Sequence, residues 1–233
     1  MPDSNNDAST APAAPLGPRP DARLMHFAGL LAAHGVRAWA DTGTLLGLLR
    51  EGDVLRHDGD LDFSLYESDY PALAALGRRV EGHRVEVWRW RGLPFKVKWR
   101  PLREPGARVV DFKIYRRIGD RAWCPQAYDR TPRNPILLRI VWRARALYFR
   151  SRTTRDVDGP LGRTLFGLNT WWIPAELFAE LESFGDSPIL VPRRAEDLLR
   201  LHYGDWRVPR VAWKTLTDDG AILRRRPRDV VGR

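Results

Sequence analysis

Three aspartates, Asp58, Asp60 and Asp62, stand at alternate positions, and a fourth, Asp111, interrupts the apolar stretch Val109–Tyr115. On a β-strand, residues two apart share a face, so Asp60 and Asp62 point the same way, and Asp58 joins them if the strand begins early. Like charges held side by side are costly unless a cation neutralises them. Carboxylates without a neighbouring Cys or a His at ligand spacing suit a hard ion, Mg²⁺ or Mn²⁺, better than zinc. Asp111, between Val110 and Phe112, goes against local strand propensity, and residues that break the local rule tend to be functional. The structural alternative makes Asp58-Gly59-Asp60 a surface turn, since Asp and Gly dominate turns.

A second constellation lies just upstream. Val36–Ala40 reads as a short strand running into Asp41-Thr42-Gly43-Thr44, and the helix-favouring run Leu45–Arg50 follows. A strand-to-helix junction presents free backbone N–H groups and the positive end of the helix dipole, so Gly43 and Thr44 could cradle a phosphate, with Arg50 reaching it from farther along the helix. A phosphate beside a carboxylate-bound metal is the arrangement phosphoryl transfer needs.

The elements that must hold these groups follow from periodicity. Leu24, Phe27, Leu30 and Leu31 recur at helical spacing, with Gly35 placed to end the helix. Leu61–Tyr66 reads as a strand and 70–80 as a helix. Val85–Trp90, Phe95–Trp99 and Val109–Tyr115 alternate with period two, separated by the turn signals Arg91–Pro94 and 104–106, so they read as consecutive antiparallel strands. Beyond Arg117 the pattern turns helical, over 136–152, 174–184 and 193–203. The expected class is α+β: a mixed sheet flanked by helices, with a mostly helical C-terminal part. The expected units are a flexible tail at 1–20, a catalytic core at 21–117, a helical part packed on it at 118–210, and a basic extension at 211–233.

At 233 residues, with 43% hydrophobic and 29% charged residues, the chain can bury a full core, which excludes wholesale disorder. Its formal charge is +10, carried by 39 basic residues of which only Lys96, Lys98, Lys113 and Lys214 are lysines. Such a balance suits an anionic ligand, though the arginines are spread along the chain instead of forming a nucleic-acid-binding block. A single cysteine, Cys124, excludes an internal disulfide. No apolar run reaches transmembrane length, and the first residues carry no signal core, so the default expectation is the cytoplasm.

Gly43-Thr44-Leu45-Leu46-Gly47, Arg50 and the Asp58-x-Asp60-x-Asp62 triplet together resemble the signature of the LicD/fukutin family. A second block is similar too: Val191-Pro192, then a helix ending Leu201–Trp206, with Pro209 after it. The chain has Arg56-His57 where members of that family often carry Trp or Pro-Trp. The resemblance implies a nucleotidyltransferase-like fold that moves a phosphate-linked group, such as phosphocholine or ribitol phosphate, from a CDP-activated donor to a glycan hydroxyl. It implies that Asp60 and Asp62 hold metal with Asp58 assisting. Asp111 would be a further metal ligand or would take the acceptor's proton, and Gly43, Thr44 and Arg50 would bind donor phosphate. Transfer of a nucleoside monophosphate to a small molecule or RNA is the alternative enzyme. A non-enzymatic anionic-surface or nucleic-acid binder would leave the aspartates unexplained, so a nucleic-acid partner is not expected.

Two further expectations concern surfaces. The stretch 136–152 is basic and apolar. It is read first as a core-packed helix whose arginines face solvent or the anionic donor. Alternatively it is an interfacial helix on anionic lipid at the inner face of the membrane, with Trp142 and Tyr148 at headgroup depth, which a lipid-linked glycan acceptor would make sensible. Tyr203-Gly204-Asp205-Trp206 is expected to lock the last large helix onto the catalytic half, and Trp88, Trp90 and Trp99 to pack in the core.

Overall fold

The computed structural model describes residues 20–103, 107–132, 134–151, 153–210 and 213–231. Residues 1–19 of the expected tail and the turn at 104–106 lie outside these. Helix α1 (Ala22–Ala33) is capped by Asp21, whose carboxylate accepts the Arg23 and Leu24 amides, and it buries Leu24, Phe27 and Leu31. Strand β1 (Trp39–Ala40) leads into α2 (Thr42–Glu51), then β2 (Asp60–Tyr66), α3 (Tyr70–Ala75) and β3 (Arg79–Val80). The long strands β4 (His83–Trp90), β5 (Leu93–Pro101), β6 (Val109–Ile118) and β7 (Arg121–Asp129) follow. Then come α4 (Pro135–Ser151), β8 (Thr154–Asp156), α5 (Pro160–Leu165), β9 (Phe166–Pro174), β10 (Leu181–Ser183), β11 (Leu190–Pro192) and α6 (Ala195–Tyr203). The chain closes with α7 (Thr215–Asp218), β12 (Ile222–Leu223) and α8 (Pro227–Val231).

The main sheet runs β10-β11-β1-β2-β6-β5-β4-β3. Strand β6 lies parallel to β2 and antiparallel to β5, which confirms the expected meander of β4, β5 and β6. Its last residues leave that sheet to pair with β7, which pairs in turn with β9, and β9 with β12. One strand therefore belongs to both halves of the molecule. Alternation sorts its side chains and those of its neighbours. Leu61, Phe63, Val110, Phe112, Val97 and Trp99 are buried in the core, where Phe63 stacks on Phe112 at 5.6 Å and Trp99 meets Phe112 at 4.7 Å. The opposite face carries the charges.

The α+β class agrees with the sequence. Differences in detail have local causes. The expected helix over 70–80 stops at Ala75 because Gly77 takes φ +94°, and the chain turns into β3. The strand expected from Val36 is only Trp39–Ala40. The helix expected over 174–184 is a single 3₁₀ turn at Ala175–Phe178 followed by β10, whose pairing with β11 (Leu181 opposite Pro192) overrides the helical spacing of its apolar residues. Strands β7 to β11 interleave with α4, α5 and α6, so 118–210 adds sheet as well as helix. The tryptophans at 88, 90 and 99 are buried, as expected, and Cys124 is a buried thiol, pushed up to about 12 by its burial.

Candidate active site

Strand register assembles the site. Asp62 on β2 lies beside Asp111 on β6, and Asp111 lies beside Lys98 on β5. One step along, Ser64, Lys113 and Lys96 form a second row across the same three strands. All these side chains stand on the face opposite the core, as the two-residue period requires. Three of the chain's four lysines thus converge on the aspartates.

Asp111 Oδ2 is 2.9 Å from the ammonium groups of both Lys96 and Lys98, while its Oδ1 is buried with no hydrogen-bond partner. Burial alone would push this carboxyl up, but Lys96, Lys98 and Lys113 outweigh it and hold it at about 2. Lys96 and Lys98 thus supply the counter-charge of Asp111. Lys113 donates to Asp62 Oδ1 at 2.8 Å and to Thr42 Oγ1 at 2.7 Å, and stands 3.9 Å from Asp41 Oδ2. Its burial favours the neutral amine, yet Asp62, Asp41 and Asp111 together push its pKa upward.

The acidic trio forms as expected: oxygens of Asp58, Asp60 and Asp62 lie within 4.8 Å of one another. Strand β2 begins only at Asp60, so Asp58 reaches the trio from the preceding loop. Burial, a hydrogen bond with Asp60 and the charges of Asp62 and Asp60 push Asp58 up to about 7. Burial likewise raises Asp62, offset in part by Lys113. A trio of oxygen donors, crowded enough to hold one carboxyl partly protonated, fits a hard divalent cation. Gly43 makes the crowding possible. A Cβ there would run into the Asp58 carboxylate and come within 3.4 Å of Asp62 Oδ2, so the glycine admits the acids as much as any phosphate.

The start of α2 is strained. Thr42, a β-branched residue, has φ +40°, and the Asp41 carboxylate that accepts its amide at 2.8 Å is itself held by Ser64 Oγ at 2.6 Å. Thr42 and Gly43 face the cleft over the trio. Thr44 does not: it is buried, and its hydroxyl accepts the Asp62 amide at 2.8 Å, so it positions Asp62 instead of binding donor phosphate. Arg50 lines the cleft as expected, its guanidinium 3.0 Å from Glu51.

The cleft measures about 1150 Å³. Its wall also carries Arg210, Asp219 and the rings of Trp171, Tyr203, Trp206 and Trp213. Buried His202 meets Asp219 at 3.0 Å, Asp219 accepts the Trp171 indole N–H at 3.2 Å, and Trp171 lies under Lys113 at 5.3 Å. Burial opposes a charge on His202, but Asp219 prevails and raises its pKa. Tyr203, at the end of α6, and Trp206 just beyond it line the cleft. Sequence reasoning missed Lys96, Lys98, Lys113, Thr42 and Asp219. The scarcity of lysine was the available signal, because a compact ammonium fits a tight carboxylate cluster where a guanidinium fork does not.

Two curated proteins, the ribitol 5-phosphate transferase FKRP of Mus musculus and that of Homo sapiens, are each 43% identical to this chain over 44 residues. That alignment covers 19% of the chain and 9% of either relative's length. The second sequence block, Val191–Pro209, lies outside residues 35–125, the stretch that matches a family model. Residues 35–125, which contain the aspartate trio, Asp111 and all three converging lysines, match the nucleotidyltransferase domain of the LicD/FKTN/FKRP family, and over that stretch the family resemblance seen in the motifs is borne out.

Proposed function

We propose that this cleft transfers a phosphate-linked group from a CDP-activated donor to a hydroxyl of a glycan. The observation that supports the reading best is an acidic trio and a lysine cluster meeting on one sheet face beneath a single cleft. Asp60 and Asp62, with Asp58, would hold Mg²⁺ or Mn²⁺. Asp62 presents Oδ2 while Lys113 holds Oδ1. When bound, the ion would neutralise charge developing on the donor phosphates. Lys96, Lys98 and Arg50 supply fixed positive charge to the same phosphates, and Asp111 keeps the two lysines in place. The half-buried rings of Tyr203 and Trp213 on the cleft wall offer a stacking surface for a nucleoside or sugar.

In the transfer, the acceptor oxygen bonds to the donor's distal phosphorus, the bridging P–O bond breaks, CMP departs with that oxygen, and the hydroxyl proton passes to water in the open cleft. The test is to incubate the protein with Mg²⁺, a panel of CDP-linked donors and glycan acceptors, and to measure CMP release together with the phosphodiester product. Appearance of a nucleotide on the acceptor would replace this reading with nucleotidyl transfer. No turnover with any donor, in protein that binds Mg²⁺ at the trio, would overturn it.

A further inference from the structure

Helix α4 buries an arginine and leaves an aliphatic strip exposed. Arg145 is 7% exposed: it lies 3.3 Å from Asp129, donates to the carbonyls of Arg130 and Leu165 at 2.8 and 2.9 Å, and sits over the Phe166 ring. Tyr148, on the same inner side, is also buried and donates to the Asp156 carbonyl. Ile136, Ile140 and Leu147, by contrast, are 69%, 57% and 67% exposed, and Leu137 and Trp142 are exposed as well. The expected core-packed helix with outward arginines holds in part: Val141, Ala144 and Tyr148 pack inward and Arg139 and Arg143 face out, but Arg145 packs inward and Ile136, Ile140 and Leu147 face out.

At 3.6 residues per turn, Ile136, Ile140 and Leu147 fall within about 40° of one another, with Leu137 on one flank and Arg143 and Arg139 on the other. Both arginines are exposed, and α4 contains no Asp or Glu. An aliphatic strip edged by arginines, with an exposed indole beside them, matches the interface of a bilayer carrying negative headgroups. A second copy of the chain is a poorer occupant. A helix of 17 residues presents a strip about 25 Å long and about 10 Å wide, well short of the roughly 800 Å² per partner of a stable interface. No described helix is long and apolar enough to cross a membrane, so contact here is with its surface.

We propose that α4 lies flat on an anionic lipid surface, with Ile136, Ile140 and Leu147 in the acyl boundary and Arg139 and Arg143 at headgroup phosphates. This rests on the exposed helix alone and holds whatever the cleft catalyses.

The test is co-sedimentation of the full chain with vesicles of equimolar phosphatidylcholine and phosphatidylglycerol, and with vesicles of phosphatidylcholine alone. The wild type binds the anionic vesicles at least about tenfold more tightly than the neutral ones. The triple variant Ile136→Ser, Ile140→Ser, Leu147→Ser and the double variant Arg139→Glu, Arg143→Glu each lose about tenfold or more, with unchanged melting temperatures because every altered side chain is exposed. If the triple variant misfolds, Ile140→Asp alone carries the same expectation. Absence of wild-type binding, equal binding to neutral vesicles, or retained binding in the aliphatic variant overturns the proposal. So does a dimer in sedimentation equilibrium that the aliphatic variant dissolves.

Discussion

Asp62 and Asp111 are register partners on parallel strands, yet their carboxyls lie in opposite electrostatic regimes. Asp62 shares its surroundings with Asp58 and Asp60 and is raised, chiefly by burial. Asp111 is held at about 2 by lysines that override its burial. A cation therefore has most to gain on the Asp62 side, and the Asp111 side already has its counter-charge.

Asp60→Asn and Asp62→Asn should each lower turnover by more than about a hundredfold, exceeding the usual effect of an outer-shell change. Without added metal, Asp60→Asn should melt no lower than the wild type, because a crowded negative charge has been removed, whereas Asp62→Asn also takes the nearest counter-charge from buried Lys113 and should melt lower. Mn²⁺ titration and thermal melts on the same samples check both halves.

Asp111→Asn should unfold the protein more readily by about 3 kcal/mol, since it leaves Lys96 and Lys98 facing each other without a counter-charge. Adding Lys98→Met should restore part of the loss. A urea titration of the single and double variants checks the coupling.

Gly43→Ala should weaken Mg²⁺ binding before it weakens donor binding, because the added methyl displaces Asp58. Calorimetric titrations with Mg²⁺ and then with CDP distinguish the two. Equal metal affinity would return Gly43 to a purely phosphate-facing role.

Thr44→Val keeps the shape of the side chain but strands the buried Asp62 amide, at a cost of about 1–3 kcal/mol. Donor affinity in the folded fraction should fall less than metal affinity. Chemical denaturation and Mn²⁺ binding measure the pair.

The His202–Asp219 pair should make stability depend on pH. The folded pKa of His202 lies above its unfolded value near 6.5, so its contribution is fully present below 6.5 and fades as pH rises through the folded value. Asp58 acts in the same direction in metal-free protein: its folded value of about 7 exceeds the ordinary 3.8, so stability declines as pH climbs toward 8. Mg²⁺ should cancel the Asp58 part, and Asp219→Asn the His202 part. Melting temperatures from pH 5 to 8 with and without Mg²⁺ separate them.

Much of this site was legible because its chemistry obeys a local period. Asp60 and Asp62 share a face by strand geometry, and Gly43 stands out at a strand-to-helix junction. Thr44 was misjudged because its hydroxyl points at Asp62, a contact eighteen positions away that no local pattern encodes. The lysine cluster was likewise hidden: Lys98 meets Asp111 only through the β5–β6 register. The 174–184 segment has helical spacing, but the β10–β11 pairing took it into the sheet. Helix α4 was found in place, yet its outward face could not be told from its inward one until Arg145 was seen among backbone carbonyls.

The enclosure of Lys96, Lys98 and Lys113 in carboxylate pairs leaves Lys214 as the exposed lysine among the described residues, next to Trp213 and Thr215 on the cleft rim. Amine-reactive dyes applied at about pH 9 should therefore label Lys214 ahead of the other three lysines. A fluorophore there would stand at the mouth of the cleft and report occupancy through quenching, with no cysteine needing to be introduced and with buried Cys124 left untouched.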